Sequence, residues 1–323
     1  MKSMQKGLLA LSVSIASITT SVQADELIFA HGANPGNPRY EAAEMFTAIV
    51  PSCSSFTVNH APAATVGNDA EMLTSAQASI IQMSANSQGA LAQIVPEIGM
   101  LGLPFLFKNE TSVWNVLDGE IGEALDKKAQ QAGLKIVTFW DNGFRNVTHT
   151  SKFVAKPADA QGMKIRTPPD QVTIDIFKAV GGNPAPLAWS ELPTALSSGI
   201  FDGQENPLTN IYSAKLHEIT PYISMTGHKY ESTPVVASLG WWNSLSSEDQ
   251  ACVTNAAKQA GWFQRGQNML ANRKLQTVME GEGEGAKFTT VDRDAFVKAT
   301  ASVYDKYEKE MGSFVADLRK AAK

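Results

Sequence analysis

The stretch SGIFDGQENPLTN, from Ser198 to Asn210, joins two helical patterns through a short and strongly polar segment. It contains two acidic and three amide side chains. SELPTALSSG before it and PLTNIYSAKLHEI after it are each typical of a short helix. Proline is tolerated in the first turn of a helix, so Pro207 is predicted to begin the second helix and Asn206 to cap it. Backbone N–H groups at a helix start favour an anion, which makes this joint a candidate ligand contact.

Strand-length apolar runs alternate with helical patterns on both sides of this joint. In the first part of the chain ELIFA, FTVNH and SIIQMSA predict strands, and helices are expected over 38–50, 69–77 and 111–133. In the second part LKIVTFW, FRNVTHT, MKIR, YISMTGH and TPVVASL predict strands. A long helix follows from Leu245 to about Glu280, and SEDQ at its start fits a capping box. Alternation of this kind, found twice, predicts an α/β fold with two lobes and largely parallel sheets.

The first 24 residues have the pattern of a secretory signal peptide. Lys2 and Lys6 precede the apolar run GLLALSVSIASI, and small residues lead to a predicted cleavage after Ala24. A buried N-terminal helix is the alternative interpretation. Removing Lys2 and Lys6 from the 27 basic residues leaves 25 against 32 acidic ones, a formal charge of −7. That balance argues against a nucleic-acid partner, although a local arginine pocket could still bind a small anion.

Cys53 and Cys252 are the two cysteines of the chain. In an oxidising compartment they could form a disulfide, and two separate buried thiols are the alternative. The five histidines are scattered, and HEITP lacks the second histidine of a zinc-protease helix, so we predict no metal site and no cofactor. No nucleophile elbow, P-loop or kinase signature is present. An exported α/β hydrolase with a spatially assembled nucleophile is therefore an alternative without local support.

Arginine is scarce, and two arginines lie where predicted strands begin or end. Arg145 in DNGFRNVTH and Arg166 in GMKIRTPPD each have apolar neighbours. A half-buried guanidinium needs an anionic partner because burying an unpaired charge is costly, and its planar fork suits a carboxylate. Spacing alone fits a bound carboxylate and an internal salt bridge equally well. Trp189, which follows GGNPAPLA, could likewise be core packing or the wall of a ligand pocket.

The run that begins GMKIRTPPDQ and contains SELPTALSSGIFDGQENPL resembles the central signature of the TRAP transporter solute-binding proteins, the DctP-type periplasmic receptors. DNGFRNVTH, EIGMLGLPFLFKNE and PRYEAAEMF match the same family, so the resemblance covers nearly all of the chain after residue 24. It implies two α/β lobes around a cleft that closes over a ligand, with a long helix spanning both lobes. It also implies a monomeric periplasmic receptor, without chemistry of its own, that delivers a small organic acid to a TRAP membrane permease.

The resemblance assigns roles in carboxylate binding to individual residues. Arg166 would make the main bidentate salt bridge to the ligand carboxylate, and Arg145 would add a second contact. Asn206 would donate a hydrogen bond to the same carboxylate from the helix start. Trp189 would line the pocket as the aromatic residue before SE.

Two further residues and the domain boundaries complete the expectation. Asp69 matches a position that contacts ligand in some members of the family. Ser87 lies where the sialic-acid receptors carry an acid, which argues against sialic acid as the ligand. We expect lobe I to comprise residues 25–142 and 232–270, and lobe II residues 143–231 and 271–323. A receptor that docks on a membrane sensor instead of a permease is an alternative that this sequence does not separate from transport.

Overall fold

The computed structural model describes residues 26–283 and 285–323, and the predicted signal peptide lies outside them. These residues form nine strands: β1 Glu26–His31, β2 Thr57–Ala61, β3 Met83–Ala85, β4 Leu134–His149, β5 Lys164–Thr167, β6 Asn183–Pro186, β7 Gly203–Asn206, β8 Tyr222–Ser238 and β9 Lys287–Thr289. The helices are α1 Pro38–Ile49, α2 Asp69–Gln77, α3 Gln88–Ala92, α4 Pro96–Gly99, α5 Glu110–Leu117, α6 Glu120–Gln131, α7 Gln171–Ala179, α8 Leu192–Ser197, α9 Leu208–Ser213, α10 Leu216–Ile219, α11 Leu239–Ser244, α12 Ser247–Gly281, α13 Arg293–Ala299, α14 Ala301–Met311 and α15 Ser313–Ala321. Short 3-10 helices cover Val50–Ser52, Met100–Gly102, Pro157–Ala160 and Trp189–Glu191.

The strands form one mixed sheet in the order β2-β1-β3-β8-β4-β7-β5-β6, with β9 beside β8. The parallel strands β2, β1 and β3 form one group and the parallel strands β7, β5 and β6 another, and the parts of the chain around them are called lobe I and lobe II. Between them β4 and β8 run antiparallel to each other through both lobes. The predicted α/β fold with two lobes is confirmed. Five of the eight strand pairings are parallel, as predicted, but the long antiparallel pair of β4 and β8, which joins the two parallel parts into one sheet, was not predicted.

Sequence periodicity divided each of the two long strands, β4 and β8, into separate strand segments. LKIVTFW and FRNVTHT were each expected to be a separate strand, yet β4 continues through Asp141, Asn142 and Gly143. The pairing with β8 shifts register at Asp141/Gly143, and Gly143 takes a φ of +119° that favours glycine. The polar side chains resemble a loop in the sequence but are buried with partners. Asn268, for example, donates to Asp141 at 3.0 Å.

Two predicted helices are also divided, in both cases by local backbone geometry. The helix expected over 111–133 ends at Leu117 and restarts at Glu120, after Asp118 and Gly119. The helix expected over 207–219 is interrupted at Lys215, whose φ of +52° lies in the left-handed region. Pro207 is the residue before α9 and caps it without a side-chain hydrogen bond. The prediction of Asn206 as helix cap is therefore wrong, since Asn206 is the last residue of β7.

Helix α12 connects the two lobes, as the family resemblance implied. It packs against α1 and β4 in lobe I, and against α9 and β9 in lobe II. Gln264 exchanges two hydrogen bonds with the backbone of Asp141, at 2.9 Å to the side-chain oxygen and 2.6 Å from the side-chain amide. An added Cβ at Gly261 would lie 2.8 Å from the Trp140 ring, so only glycine permits this close approach. Helix α12 is thus fixed to β4 close to the point where that strand passes between the lobes.

Cys53 and Cys252 form a disulfide, which settles the alternative that the sequence left open. The bond links the end of the 3-10 turn after α1 to the first part of α12. It therefore ties together two segments that are 199 residues apart in sequence.

Loss of this disulfide should lower the stability of the protein without weakening ligand binding. Closing so long a loop restricts the unfolded chain, and a bond of this kind is typically worth about 2–4 kcal/mol. For a chain of this size we expect the melting temperature of the Cys53→Ser/Cys252→Ser variant to fall by roughly 5–10 °C. Thermal unfolding with and without reductant measures the effect. An unchanged melting temperature would show that the bond does not contribute to stability.

Candidate ligand-binding cleft

One cleft between the lobes brings together all six residues that the sequence singled out. Lobe I contributes Asp69 and Ser87 to its lining, and lobe II contributes Arg145, Arg166, Trp189 and Asn206. The position follows from the sheet, because the carboxyl ends of the parallel strands β3, β5 and β7 face this cleft. Crevices at the carboxyl ends of strands are the usual ligand sites of open α/β sheets.

Arg166 is a buried guanidinium that has no acidic partner. It is the third residue of β5 and is only 2% exposed. Its Nε and Nη2 donate to the carbonyl oxygen of Leu187 at 2.9 and 2.6 Å, which aims the guanidinium group. No carboxylate of the described residues lies within 4.0 Å of it. Burial, followed by the positive charge of Arg145, lowers the pKa of Arg166 to about 10, so the group is charged at neutral pH.

Arg145 is buried as well, but its charge is compensated inside the protein. Its guanidinium donates to the carboxylates of Glu205 and Glu231, and Nη2 also reaches the Glu205 carbonyl oxygen at 2.6 Å. Burial alone would lower the pKa of Arg145, but the two glutamates raise it above its usual range. The sequence left open whether Arg145 binds a ligand carboxylate or forms an internal salt bridge. Its contacts match the internal salt bridge.

Glu205 is the buried acid that holds Arg145 in place. Besides the guanidinium, it faces His228, whose Nε2 lies 3.2 Å from Glu205 Oε2. Burial opposes its ionisation, yet the charge of Arg145 and the contact with His228 lower the pKa of Glu205 to about 2. Glu205 is therefore an anion throughout the neutral range and does not repel a ligand carboxylate, because Arg145 neutralises it.

The lowered pKa of Glu205 predicts an acid-dependent contribution to stability. A carboxyl group whose folded pKa is depressed stabilises the fold above its ordinary pKa, and the contribution is lost as pH falls through the folded value. The difference in unfolding free energy between wild type and Glu205→Gln should thus be constant above about pH 4.5 and shrink towards pH 2. Urea unfolding at a series of pH values measures it. A difference that does not change with pH would contradict an ionised Glu205.

Asn206 lines the cleft, although not in the way expected of a helix cap. Its side-chain nitrogen donates to Gln204 at 2.5 Å, and its oxygen accepts from Asn210 at 3.1 Å. Helix α9 is only six residues long, so a helix dipole adds little to anion binding here. The polar segment 198–210 contributes to the cleft a chain of hydrogen-bonded side-chain amides at the end of β7.

Trp189 reaches across the cleft from lobe II to lobe I. The half-buried indole stands at the start of a 3-10 turn and packs on the core that includes Leu192 and Leu196. A Cβ placed on Gly32 would lie 3.6 Å from Trp189 Cδ1, so the ring lies beside Gly32, the residue after β1. Trp189 thus serves as core packing and as cleft wall together.

Asp69 and Ser87 meet at the lobe I side of the cleft. Asp69 begins α2, where the capping box of Asn68 and Glu71 fixes the first turn. Its Oδ1 accepts from the Ser87 backbone N–H at 3.1 Å. The Ser87 hydroxyl donates to Glu231 Oε1 at 2.8 Å. Burial raises the pKa of Asp69. Because this serine bonds to an acid and not to a histidine, its contacts are not those of a hydrolase nucleophile.

Sequence reasoning missed one arginine of this cleft, Arg39. It lies in the first turn of α1, and its Nη2 donates to Asn142 Oδ1 at 2.9 Å. Asn142 Oδ1 also accepts from Asn210 at 3.1 Å. Arg39 lies within PRYEAAEMF, and the scarcity of arginine makes it as noticeable in the sequence as Arg145 and Arg166. It was overlooked because it starts a helix instead of ending a strand.

The described residues lack two features that are found in other classes of protein. Within 26–283 and 285–323, no three histidine, cysteine, aspartate or glutamate side chains are grouped as metal ligands would be. No helix in this part of the chain combines the length and the apolar composition that crossing a bilayer requires.

Comparison with known proteins identifies relatives over nearly the whole chain. YiaO of Escherichia coli K12, named as a 2,3-diketo-L-gulonate-binding periplasmic protein, is 31% identical over 94% of this chain and 93% of its own. The uncharacterized protein y4mM of Sinorhizobium fredii is 43% identical over 92% of this chain, which spans 55% of y4mM. The sugar acid binding protein DctPAm of Advenella mimigardefordensis, solved with galactonate, matches with a TM-score of 0.90. It is 29% identical, and the match covers 94% of this chain and 99% of DctPAm.

The family itself is defined by a match over most of the sequence. Residues 29–310 fit the pattern described as bacterial extracellular solute-binding protein, family 7, or DctP. That span includes β2 to β9 and every residue of the cleft discussed above. The chain therefore belongs to the family 7 bacterial extracellular solute-binding proteins, the DctP receptors of TRAP transporters.

Proposed function

We propose that this protein is a periplasmic receptor that binds a small organic acid in the interlobe cleft, with Arg166 as the carboxylate anchor. The observation that carries the proposal is the isolation of Arg166. A guanidinium that is 2% exposed and has no carboxylate of residues 26–283 or 285–323 within 4.0 Å keeps an unpaired charge in a cleft. That arrangement is costly unless an anion enters. A ligand carboxylate would supply the anion and would match the planar fork of the guanidinium.

The remaining cleft residues then have supporting roles. Arg145 is held by Glu205 and Glu231, so its charge is compensated, and it would present a fixed edge of the cleft to the ligand. Asn206 would donate through the amide hydrogen that Gln204 does not use. Asp69 and Ser87 would contact the part of the ligand that faces lobe I. Trp189 would cover the ligand when the lobes close.

We also propose the lobe boundaries 25–142 with 232–270, and 143–231 with 271–323. The pairing of β4 with β8 supports them, because the strands pass between the lobes near Gly143 and Glu231. Ligand that bridges both lobes would stabilise the closed form, which couples binding to closure. The partner would be a TRAP membrane permease that recognises the closed monomer. Docking on a membrane sensor is the second candidate, since it would use the same closure.

We further propose that binding is not followed by a reaction. The Ser87 hydroxyl donates to the Glu231 carboxylate and not to a histidine, and the described histidines do not line the cleft. Incubation with generic esters tests this directly. Turnover that is lost in a cleft variant would replace the receptor proposal with the hydrolase alternative.

The receptor proposal is tested by thermal unfolding against a panel of small carboxylates, each paired with its amide. A ligand that binds only the folded state at 100 times its Kd adds about 2.7 kcal/mol of stability. We expect a rise of roughly 5–10 °C for one class of acid and none for its amide. The panel is repeated on protein that has been unfolded and refolded, so that a copurified ligand cannot mask binding. No shift with any acid after refolding would contradict the proposal.

A further inference from the structure

Asn37 joins the two lobes by hydrogen bonds that do not involve a ligand. It lies directly before α1, on the lobe I side of the cleft, and is only 5% exposed. Its side-chain nitrogen donates to Asn210 Oδ1 at 2.9 Å and to Ser213 Oγ at 3.3 Å. Both acceptors belong to α9, on the lobe II side of the cleft. An asparagine amide has two hydrogens to donate, so this one uses both of them between the lobes.

The direction of the Asn37 amide is fixed from within lobe I. Asn37 caps α1, and its Oδ1 accepts from the Arg39 backbone N–H at 2.9 Å. The turn before it is closed by a hydrogen bond from the Asn37 backbone N–H to the Asn34 carbonyl oxygen at 3.2 Å. Gly36 in this turn has a φ of +83°, which favours glycine. Because the side-chain oxygen is committed to the start of the helix, the side-chain nitrogen faces lobe II.

Asn210 is oriented in the same way on the lobe II side. Its side-chain nitrogen donates to Asn142 Oδ1 and to Asn206 Oδ1, at 3.1 Å each, so its own oxygen faces Asn37. Asn206 is the residue that we propose as a donor to the ligand carboxylate. A chain of hydrogen-bonded amides therefore leads from the ligand side of β7 to the start of α1 in the other lobe.

These contacts also lie along one edge of the cleft. Asn37, Asn210 and Ser213 all line the cleft, and Ser213 lines a neighbouring groove as well, together with Gly36 and Tyr212. The bonds from Asn37 to α9 thus separate the cleft from that groove. None of the three bonded side chains carries a charge, so they neither attract nor repel an acid in the cleft.

We propose that Asn37, Asn210 and Ser213 form an interlobe latch, which sets ligand affinity by holding the lobes together and not by recognising the acid. This inference rests on the proposed function, because it takes closure of the cleft to be how the receptor retains its ligand. Opening of the lobes would break the latch. The apparent Kd rises as the fraction of protein in the binding-competent form falls, so a weaker latch means weaker binding and faster release.

The variant that tests the latch is Asn37→Ser. Serine is as good a helix cap as asparagine, but its side chain is too short to reach α9. Calorimetric and stopped-flow titrations use galactonate, erythronate and succinate as probes. For each acid that binds, we expect an affinity roughly 3- to 30-fold weaker, since two hydrogen bonds are lost. The dissociation rate should rise by a similar factor, and the association rate should stay within about twofold.

The matched control is Asn109→Ser, which makes the same substitution at another helix cap of lobe I. Asn109 caps α5 through the Ser112 backbone N–H at 3.0 Å and lies outside the cleft. It should change neither affinity nor rates. Thermal unfolding of both variants shows that the lobes remain folded.

A double-mutant cycle distinguishes a latch from a direct ligand contact. If Asn37 acts through Asn210, then Asn37→Ser should weaken binding less in an Asn210→Ala background than in the wild type. It should also weaken every acid that binds by a similar factor. Additive losses, or a loss that is confined to one acid, would make Asn37 a ligand contact and overturn the latch.

Small-angle X-ray scattering of the ligand-free protein separates this inference from the proposed function. Without the latch the lobes should lie further apart on average, so Asn37→Ser should have a larger radius of gyration than the wild type and Asn109→Ser. If the radius grows but no carboxylate binds to refolded protein, the latch stands and the receptor proposal fails. If acids bind to Asn37→Ser with wild-type affinity and the radius is unchanged, the latch is wrong and the receptor proposal stands.

Discussion

Replacing Arg166 with alanine should abolish measurable binding of the acid ligand and leave the protein folded. Among the described residues the guanidinium donates hydrogen bonds only to the Leu187 carbonyl oxygen, so its removal strands no internal charge. Truncating one member of a buried, hydrogen-bonded charge pair costs about 2–5 kcal/mol of binding free energy. That loss corresponds to an affinity roughly 30-fold to several thousand-fold weaker. Isothermal titration of wild type and variant with the same acid measures it.

The matched control for this prediction is Arg166→Lys. It keeps the positive charge but supplies a point charge in place of a planar fork, so it should bind weakly but detectably. Both variants should unfold close to the temperature of the ligand-free wild type. Wild-type affinity in Arg166→Ala would remove Arg166 from the site, and a large loss of stability would make it a structural residue.

Replacing Arg145 with alanine should have the opposite signature, a large loss of stability. Arg145 is the positive partner that Glu205 and Glu231 share, and both carboxylates are buried. Breaking a buried ion pair by removing one member leaves uncompensated charge and costs about 3–5 kcal/mol. For a chain of this length the melting temperature should fall by roughly 10 °C or more. Urea unfolding of the ligand-free variant gives the free energy directly.

A double-mutant cycle provides the control for Arg145. If the ion pair is the source of the loss, Arg145→Ala combined with Glu205→Ala should cost less than the sum of the single variants. Additive effects would show that the two side chains do not interact. A stable Arg145→Ala variant that has lost ligand binding would instead make Arg145 a direct ligand contact, as the family resemblance implied.

The sequence was informative about the fold wherever one face of an element is apolar. The strand β1 and the helices α1, α2 and α12 follow their periodicity closely. The centres of β4 and β8 do not, because polar residues such as Asp141 are buried with partners and look like a loop in the sequence. No local pattern reveals that two strand segments are one strand. That property depends on how β4 and β8 pair over their full length.

Residues of the cleft could be predicted from the sequence, but the role that each of them has in the cleft could not. Arg145 and Arg166 have similar sequence surroundings, and the difference between them lies in Glu205 and Glu231. Those acids are 60 and 86 residues away from Arg145. Arg39 lies at the start of a helix and not at the end of a strand, so the sequence pattern did not single it out. It nevertheless lines the same cleft as Arg145 and Arg166. The roles of charged residues are set by their neighbours in space, which spacing along the chain does not encode.

A crystal structure of the protein with the acid that raises its melting temperature most would test the central claim most directly. The account predicts the ligand between the lobes, with both carboxylate oxygens paired to the Arg166 guanidinium at about 2.7–2.9 Å. It also predicts that Arg145 keeps its bonds to Glu205 and Glu231. A ligand carboxylate bound elsewhere, with Arg166 unpaired or turned to an internal acid, would contradict it.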